Sequence, residues 1–132
     1  GAPGYLVDWE KPLISEPAQD LGHFLAPTTT FWKTDVILTP GEIGGFVRSY
    51  LDAVAGRFDA ATLRERLPLF FTVTCLRGVT WFDMALREYA RPGRPLTNGD
   101  TLVKLRQYLS EDFLQHILER YVRRDFLGGA GL

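Results

Sequence analysis

The chain has 132 residues, of which 45% are hydrophobic, and this apolar content is sufficient to fill the core of one domain. Its formal net charge of −1 argues against the excess of basic residues that nucleic-acid-binding proteins carry. The single cysteine, Cys75, excludes an internal disulfide and suits the reducing cytoplasm. We therefore expect a cytoplasmic protein in which this thiol is a small buried apolar group.

An apolar run followed by an acidic pair stands near the start of the chain. Residues 5–7, Tyr-Leu-Val, predict a short buried strand that leads into Asp8 and Glu10. Mg²⁺ is commonly bound by one or two carboxylates together with phosphate oxygens, and a strand end holds a carboxylate in place for this purpose. Asp8 is thus a candidate metal ligand or an ordinary solvated residue. Glu10 shares its face on an extended chain and is either a further ligand or solvated.

Two helices are predicted after this strand. Pro17 to Ala26 should form a short helix that the next proline stops, and residues 28–35 should be irregular. Thr39 is predicted to cap the second helix, with a proline next to it and Glu42 completing a capping box. Apolar residues then recur at helical spacing until Gly56, where we expect the helix to end.

The most apolar part of the chain follows these helices. Asp59 is predicted to cap a helix that Pro68 breaks or kinks, because proline lacks an N–H and crowds the preceding turn. A long helix over residues 69–90 should then be apolar nearly all round and central in the fold. The stretch 67–86 approaches the composition of a membrane span, but the proline and two charged residues interrupt it. We expect a buried core helix and no membrane contact.

Two further helices complete the predicted architecture. Asn98 and Ser110 have the side chains of helix caps, and apolar residues recur at helical spacing over 99–109 and 111–123. Residues 1–132 contain neither a repeat nor a linker that would divide them. The predicted fold class is mainly α, with one short β element at the N-terminus.

Charged residues inside the apolar helix are candidates for a binding site. Arg77 and Trp81 are four positions apart, as are Asp83 and Arg87. A charge amid apolar residues requires a partner, because burying it alone is unfavourable. One interpretation is a substrate pocket in which Trp81, Phe82 and Asp83 surround a cationic headgroup. The other is an internal ion pair that joins helices.

Neither histidine has the sequence neighbours of a catalytic or metal site. His23 follows Asp20 by three residues on one helix face, but no nucleophile or third ligand is placed beside them. We expect His23 to be a packed or surface residue and His116 to be a surface residue. Glu16 is expected to be exposed and without a functional role.

Residues 5–26 resemble the C-terminal part of the aminoglycoside phosphotransferase and choline kinase superfamily. In that family a strand ending in Asp is followed by a loop and by a Pro-x-x-Asp-Leu helix start. The resemblance implies that Asp8 binds Mg²⁺ at the phosphates of ATP and that Asp20 helps to fix the loop holding Asp8. It also implies a helical C-terminal lobe of a protein-kinase-like fold, in an enzyme that transfers the γ-phosphate to a hydroxyl of a small molecule.

The resemblance is weaker in the later chain. It rests there on helical character and on the Arg-Gly-x-x-Trp stretch from Arg77 to Trp81. The family builds its acceptor site from this helical region, so Arg77, Trp81 and Asp83 are the candidate acceptor-pocket residues.

Several parts of such an enzyme have no counterpart in the sequence. It contains neither a His-Gly-Asp catalytic loop nor a Gly-rich phosphate loop with its strand lysine. We therefore expect a C-terminal fragment that is inactive alone and that self-associates through uncovered apolar surface. One alternative is a stand-alone helical module that binds a protein or a small ligand. Another is a hydrolase with Asp8, Glu10 and Asp20 as metal ligands, for which the sequence offers no further ligands.

Overall fold

A computed structural model describes residues 14–93 and 99–123, apart from the side chain of Lys33. Of these residues 77% are helical and none forms a strand, which confirms the prediction of a mainly helical protein. The predicted strand at residues 5–7 and the predicted cap Asn98 lie outside the described part of the chain.

The helices of the described residues follow one another with short connections. They are α1 (Pro17–Leu25), α2 (Pro27–Thr34), α3 (Pro40–Val54), α4 (Leu63–Tyr89), α5 (Gly99–Tyr108) and α6 (Glu111–Ile117), and α6 continues into a π-helical segment (Leu118–Val122).

The prediction of irregular chain over residues 28–35 is wrong, because residues 28–34 belong to α2. Ala26 is extended and ends α1, and Pro27 then occupies the first position of the next helix. Proline is well suited to that position, where its fixed φ is helical and its missing N–H would have no partner. Asp35 ends α2 in the left-handed region with φ of 60°. Pro27 therefore follows the end of one helix and begins another.

The capping box of α3 is confirmed. The backbone N–H of Thr39 donates to the Glu42 carboxylate at 2.7 Å, and the backbone N–H of Glu42 donates to the Thr39 hydroxyl at 3.3 Å. The first of these bonds lowers the pKa of Glu42, since it favours the ionised carboxylate. Gly56 lies just beyond the end of α3 with φ of 76°, a conformation that glycine adopts without strain.

Two predictions about the start of α4 are corrected. Asp59 accepts from the backbone N–H of Ala61 at 2.9 Å, so it caps the turn before the helix, and the helix itself begins at Leu63. Pro68 lies within one continuous α4, so the predicted break is wrong, and the alternative of a kink stays a prediction. The proline is near the helix start, so it removes one backbone bond, to the Arg64 carbonyl, and the remaining bonds continue the helix.

Helix α4 is the centre of the fold, in contact with α1, α2, α5 and the π-helical segment. Two glycines let its neighbours approach closely. A Cβ atom on Gly22 of α1 would lie 2.9 Å from the Cβ of Phe70, and one on Gly78 of α4 would lie 2.7 Å from the Cβ of Thr28. Both distances are shorter than Cβ atoms tolerate, so only glycine allows these helix pairs to pack as they do.

The face of α4 that points away from its neighbours is apolar and exposed. Leu69, Val73, Leu76 and Met84 form this α4 stripe, with 47%, 62%, 47% and 54% of their surfaces exposed. By length and composition alone, α4 could cross a membrane, and only 28% of its most apolar 18 residues are buried. The expectation of a helix buried nearly all round therefore holds for one face only.

We expect the α4 stripe to mediate self-association, since an exposed apolar row of this kind favours contact with a partner. The double substitution Val73→Lys and Met84→Lys should shift the chain to monomer in sedimentation velocity, while thermal unfolding changes little. Val103→Lys provides the control, because Val103 is exposed on α5 and lies outside the stripe. A wild-type chain that stays monomeric as its concentration is raised would contradict this expectation.

Candidate functional site

A cavity of about 330 Å³ lies where α1, α2 and α4 meet. Its size falls within the range of pockets that bind small molecules. Aromatic rings make up much of its lining, and one arginine, one histidine and several threonines supply the polar groups. The lining residues are His23, Thr28, Thr29, Trp32, Thr74, Arg77, Gly78, Trp81 and Phe82.

Three rings form the aromatic wall of the pocket. Trp32 of α2 stacks on Phe82 of α4, with centroids 5.5 Å apart and planes inclined by 18°. Trp81 meets the edges of both, at 6.2 Å from Trp32 and 5.4 Å from Phe82. Tyr108 of α5 packs behind this wall against Phe82. Trp81 stays 48% exposed, so its ring faces both the pocket and solvent.

Arg77 and His23 form the polar side of the pocket. The Arg77 Nη2 donates to His23 Nδ1 at 3.0 Å, and since a guanidinium only donates, the proton of a neutral His23 lies on Nε2. Burial and the nearby Arg77 charge lower the pKa of His23, and Asp20 opposes them. His23 is therefore neutral at pH 7, and Arg77 carries the positive charge. The expectation of a packed or surface histidine is confirmed, since His23 is exposed at the edge of the pocket.

The threonines lie deeper in the pocket. Thr28 and Thr74 are buried, and the Thr28 carbonyl accepts from the Tyr108 hydroxyl at 2.9 Å. The Thr28 hydroxyl makes no hydrogen bond of ordinary geometry within the described chain. It lies beside the Cys75 thiol, whose pKa burial raises to about 12 against a smaller lowering by Thr28. The thiol thus stays protonated and unreactive, as expected for a small buried apolar group.

The structure brings Arg77 and Trp81 together in the pocket but leaves Asp83 out of its lining. The Asp83 carboxylate accepts from Arg87 Nε at 2.8 Å, and both side chains are well exposed on α4. This ion pair lies on the surface of one helix and does not join helices. Residues two apart on a helix face different directions, so the helical period already separates Asp83 from Trp81. An acidic cage around a cation is not formed by the described residues.

The predicted metal ligands Asp8 and Glu10 lie outside the described residues, and their role stays a prediction. Asp20 lies exposed in the first turn of α1, and its support of the Asp8 loop also stays a prediction. Within residues 14–93 and 99–123, no group of three or more His, Cys, Asp or Glu side chains is arranged to hold a metal ion.

Glu16 has a role that the sequence analysis missed. Its carboxylate caps α1 by accepting from the backbone N–H of Ala18 at 2.9 Å, and it pairs with Arg66 of α4 at 2.8 Å. The cap and the ion pair lower the pKa of Glu16, although burial opposes them. Its place directly before Pro17 was the sequence signal for this cap, because proline favours the first helical position.

A second cavity of about 380 Å³ is lined by residues from α2, α5 and α6 and the segment after α2. Ser110, Asp112 and His116 all line it, which suggests a hydrolytic triad. However, the Ser110 hydroxyl donates to the Gln107 carbonyl at 2.8 Å and accepts from the Phe113 N–H, so it caps α6. Burial lowers the pKa of His116, which is half-buried rather than a surface residue. We assign no chemistry to this cavity.

Comparison of the chain with protein-family models, with curated proteins and with solved structures finds no match.

Proposed function

We propose that this chain is the helical C-terminal part of an ATP-dependent small-molecule phosphotransferase of the aminoglycoside phosphotransferase and choline kinase type. One observation carries the proposal. The Pro17-x-x-Asp20-Leu21 motif, which follows the acidic segment, forms the start of α1, and the same helix supplies His23 to the aromatic pocket. In the sequence, the segment that resembles a metal-binding strand and loop thus leads within a few residues into a helix that lines a pocket sized for a small acceptor.

The proposed roles of the residues follow from the chemistry of phosphoryl transfer. Asp8, with Glu10 as a further candidate, would hold Mg²⁺, because carboxylate oxygens are the ligands this ion prefers. Bound there, Mg²⁺ neutralises charge on the phosphates of ATP. Asp20 orders the loop that carries Asp8. The pocket holds the acceptor so that its hydroxyl meets the γ-phosphate, and such positioning supplies much of the catalysis.

In this proposal the proton-accepting Asp and the nucleotide lobe come from sequence outside these 132 residues. The enzyme works in the cytoplasm on a small hydroxyl compound, binds neither nucleic acid nor membrane, and the chain alone is inactive. The coding sequence upstream should then contain a His-Gly-Asp loop with an Asn five residues after the Asp. An unrelated domain or a start codon there would contradict the proposal.

Substitution of the metal ligand tests the proposal in the full-length enzyme. Asp8→Asn should reduce ATP-dependent phosphorylation of a panel of small hydroxyl compounds on the order of 10²- to 10³-fold, since metal stabilisation of charge contributes several kcal/mol. Asp52→Asn is the matched control, because Asp52 is an exposed acid on α3. Equal activity of the two variants would contradict the role of Asp8.

A second candidate is a stand-alone helical module that binds a small ligand without catalysis. The observation that favours it is that α1, α2 and α4 of this chain supply the whole described lining of the pocket. In that case the chain alone binds its ligand without ATP, and Asp8→Asn leaves binding unchanged.

A further inference from the structure

We infer that the pocket between α1, α2 and α4 binds a planar aromatic ligand with an anionic group, that Arg77 is its counter-ion, and that cationic ligands are disfavoured. This inference deepens the proposed function, because it names the class of acceptor, and it rests on that function only for the ligand's role as a substrate. It replaces the interpretation of the pocket as a cage for a cationic headgroup.

The charge of the lining points to an anion. Arg77 is the charged side chain among the described lining residues, and its Nη2 donates to the neutral ring of His23. Within the described chain no carboxylate pairs with Arg77. Asp83 pairs with Arg87. Asp20, exposed in the first turn of α1, is near enough to His23 to raise its pKa but forms no ion pair with Arg77. A guanidinium without an acidic partner at a pocket is suited to a carboxylate.

The shape of the pocket points to a flat ring. Trp32, Trp81 and Phe82 present ring faces and edges in a fixed arrangement, with Tyr108 packed behind them. Aromatic ligands gain from both stacked and edge contacts with such rings. A volume of about 330 Å³ has room for two fused rings with a short side arm.

The threonines lie at the buried side of the pocket. Thr28 and Thr74 are buried residues of the lining, and the Thr28 hydroxyl lies beside the Cys75 thiol. Arg77 is exposed, so the charged side and the buried side of the pocket differ in chemistry.

Three probes that share one ring system test the charge preference. Indole-3-acetate is anionic, tryptophol is neutral with a hydroxyl, and tryptamine is cationic at pH 7. Calorimetric titration of the 132-residue chain without ATP should show indole-3-acetate binding about tenfold more tightly than tryptamine at low salt. Tryptophol should lie between them. Amide shifts of Thr74 and Gly78 in NMR spectra locate the probe in this pocket.

Variants of two arginines, one on α4 and one just beyond its end, assign the preference to Arg77. Arg77→Gln should reduce the difference between indole-3-acetate and tryptamine to less than about threefold, and Arg77→Lys should retain most of it. Arg91→Gln removes the same charge just beyond the end of α4 and should leave the preference unchanged. Because an exposed charge is screened, the wild-type preference should also fall as salt is raised, which is measured without any variant.

Several results would overturn the inference. These are tryptamine binding as tightly as indole-3-acetate, none of the three probes binding, shifts confined to residues outside the pocket, or a preference that Arg77→Gln leaves intact. The proposed function fails separately, by the upstream sequence or the Asp8→Asn assay. If the full-length protein is an active kinase but its pocket binds anionic and cationic probes equally well, only this inference is disproved.

Discussion

Replacing Tyr108 with alanine is expected to lower the free energy of unfolding by about 3–5 kcal/mol, a large part of the stability of a domain this size. The Tyr108 side chain is fully buried, and its ring centroid lies 3.8 Å from that of Phe82 and 4.8 Å from that of Phe113. Its hydroxyl donates to the Thr28 carbonyl. Tyr108 thus ties α5 and α6 to the helices that form the pocket, and its loss removes the support of the aromatic wall.

Urea denaturation followed by circular dichroism measures this loss of stability. A second variant separates the contribution of the ring contacts from that of the hydrogen bond. Tyr108→Phe keeps the ring contacts and removes the hydrogen bond to Thr28, so we expect a loss of about 1–3 kcal/mol. Tyr50→Ala is the control, because Tyr50 is only half-buried and its nearest ring, Phe58, lies 6.5 Å away. A Tyr108→Ala loss no larger than that of Tyr50→Ala would show that the aromatic cluster does not hold these helices together.

Substituting alanine for two helical glycines is expected to change stability in opposite directions. Gly78→Ala places a Cβ atom 2.7 Å from the Thr28 Cβ, so α2 must move away from α4 or Thr28 must shift. We expect a loss of about 1–3 kcal/mol, as for other overpacked sites, together with weaker binding in the pocket that both residues line.

Gly45→Ala is the matched control for this change. The only neighbour near a Cβ atom at Gly45 is the end of the flexible Arg48 side chain, at 3.9 Å, so alanine fits without strain. Alanine is the better helix former, and we expect a gain of about 0.5–1 kcal/mol. Thermal unfolding of both variants tests the pair. Equal midpoints would show that the close approach of α2 to α4 is not limited by Gly78.

The sequence predicted correctly those features that depend on neighbouring residues alone. The caps Thr39 and Ser110 and the helix start at Pro17 were found because a cap or an initial proline acts within one turn. Pro27 and Pro68 show the limit of such signals. Proline can end a helix, begin one or lie within its early turns, and only the surrounding chain decides which.

The exposure of α4 was decided by tertiary packing. Its residues are apolar on several faces, so the sequence pattern gave no preferred side and predicted burial all round. Contacts with α1, α2, α5 and the π-helical segment cover one side, and the α4 stripe is left uncovered. Periodicity describes which residues share a face, but it does not say how many neighbours are present to cover that face.

The sequence alone determined the helical class, the principal caps and the candidacy of Arg77 and Trp81. The pocket around them depends on tertiary structure, because its other residues come from helices distant in sequence. Trp32 and Thr28 of α2 meet α4 at the close approach of Thr28 to Gly78, and His23 of α1 meets it near the close approach of Gly22 to Phe70. Asp83 lies outside the site because its position on α4 faces a different direction from that of Trp81. Arg77 pairs with His23 because α1 packs on α4. Short-range backbone preferences fix the elements, whereas the charge and shape of the site depend on which side chains that packing brings together.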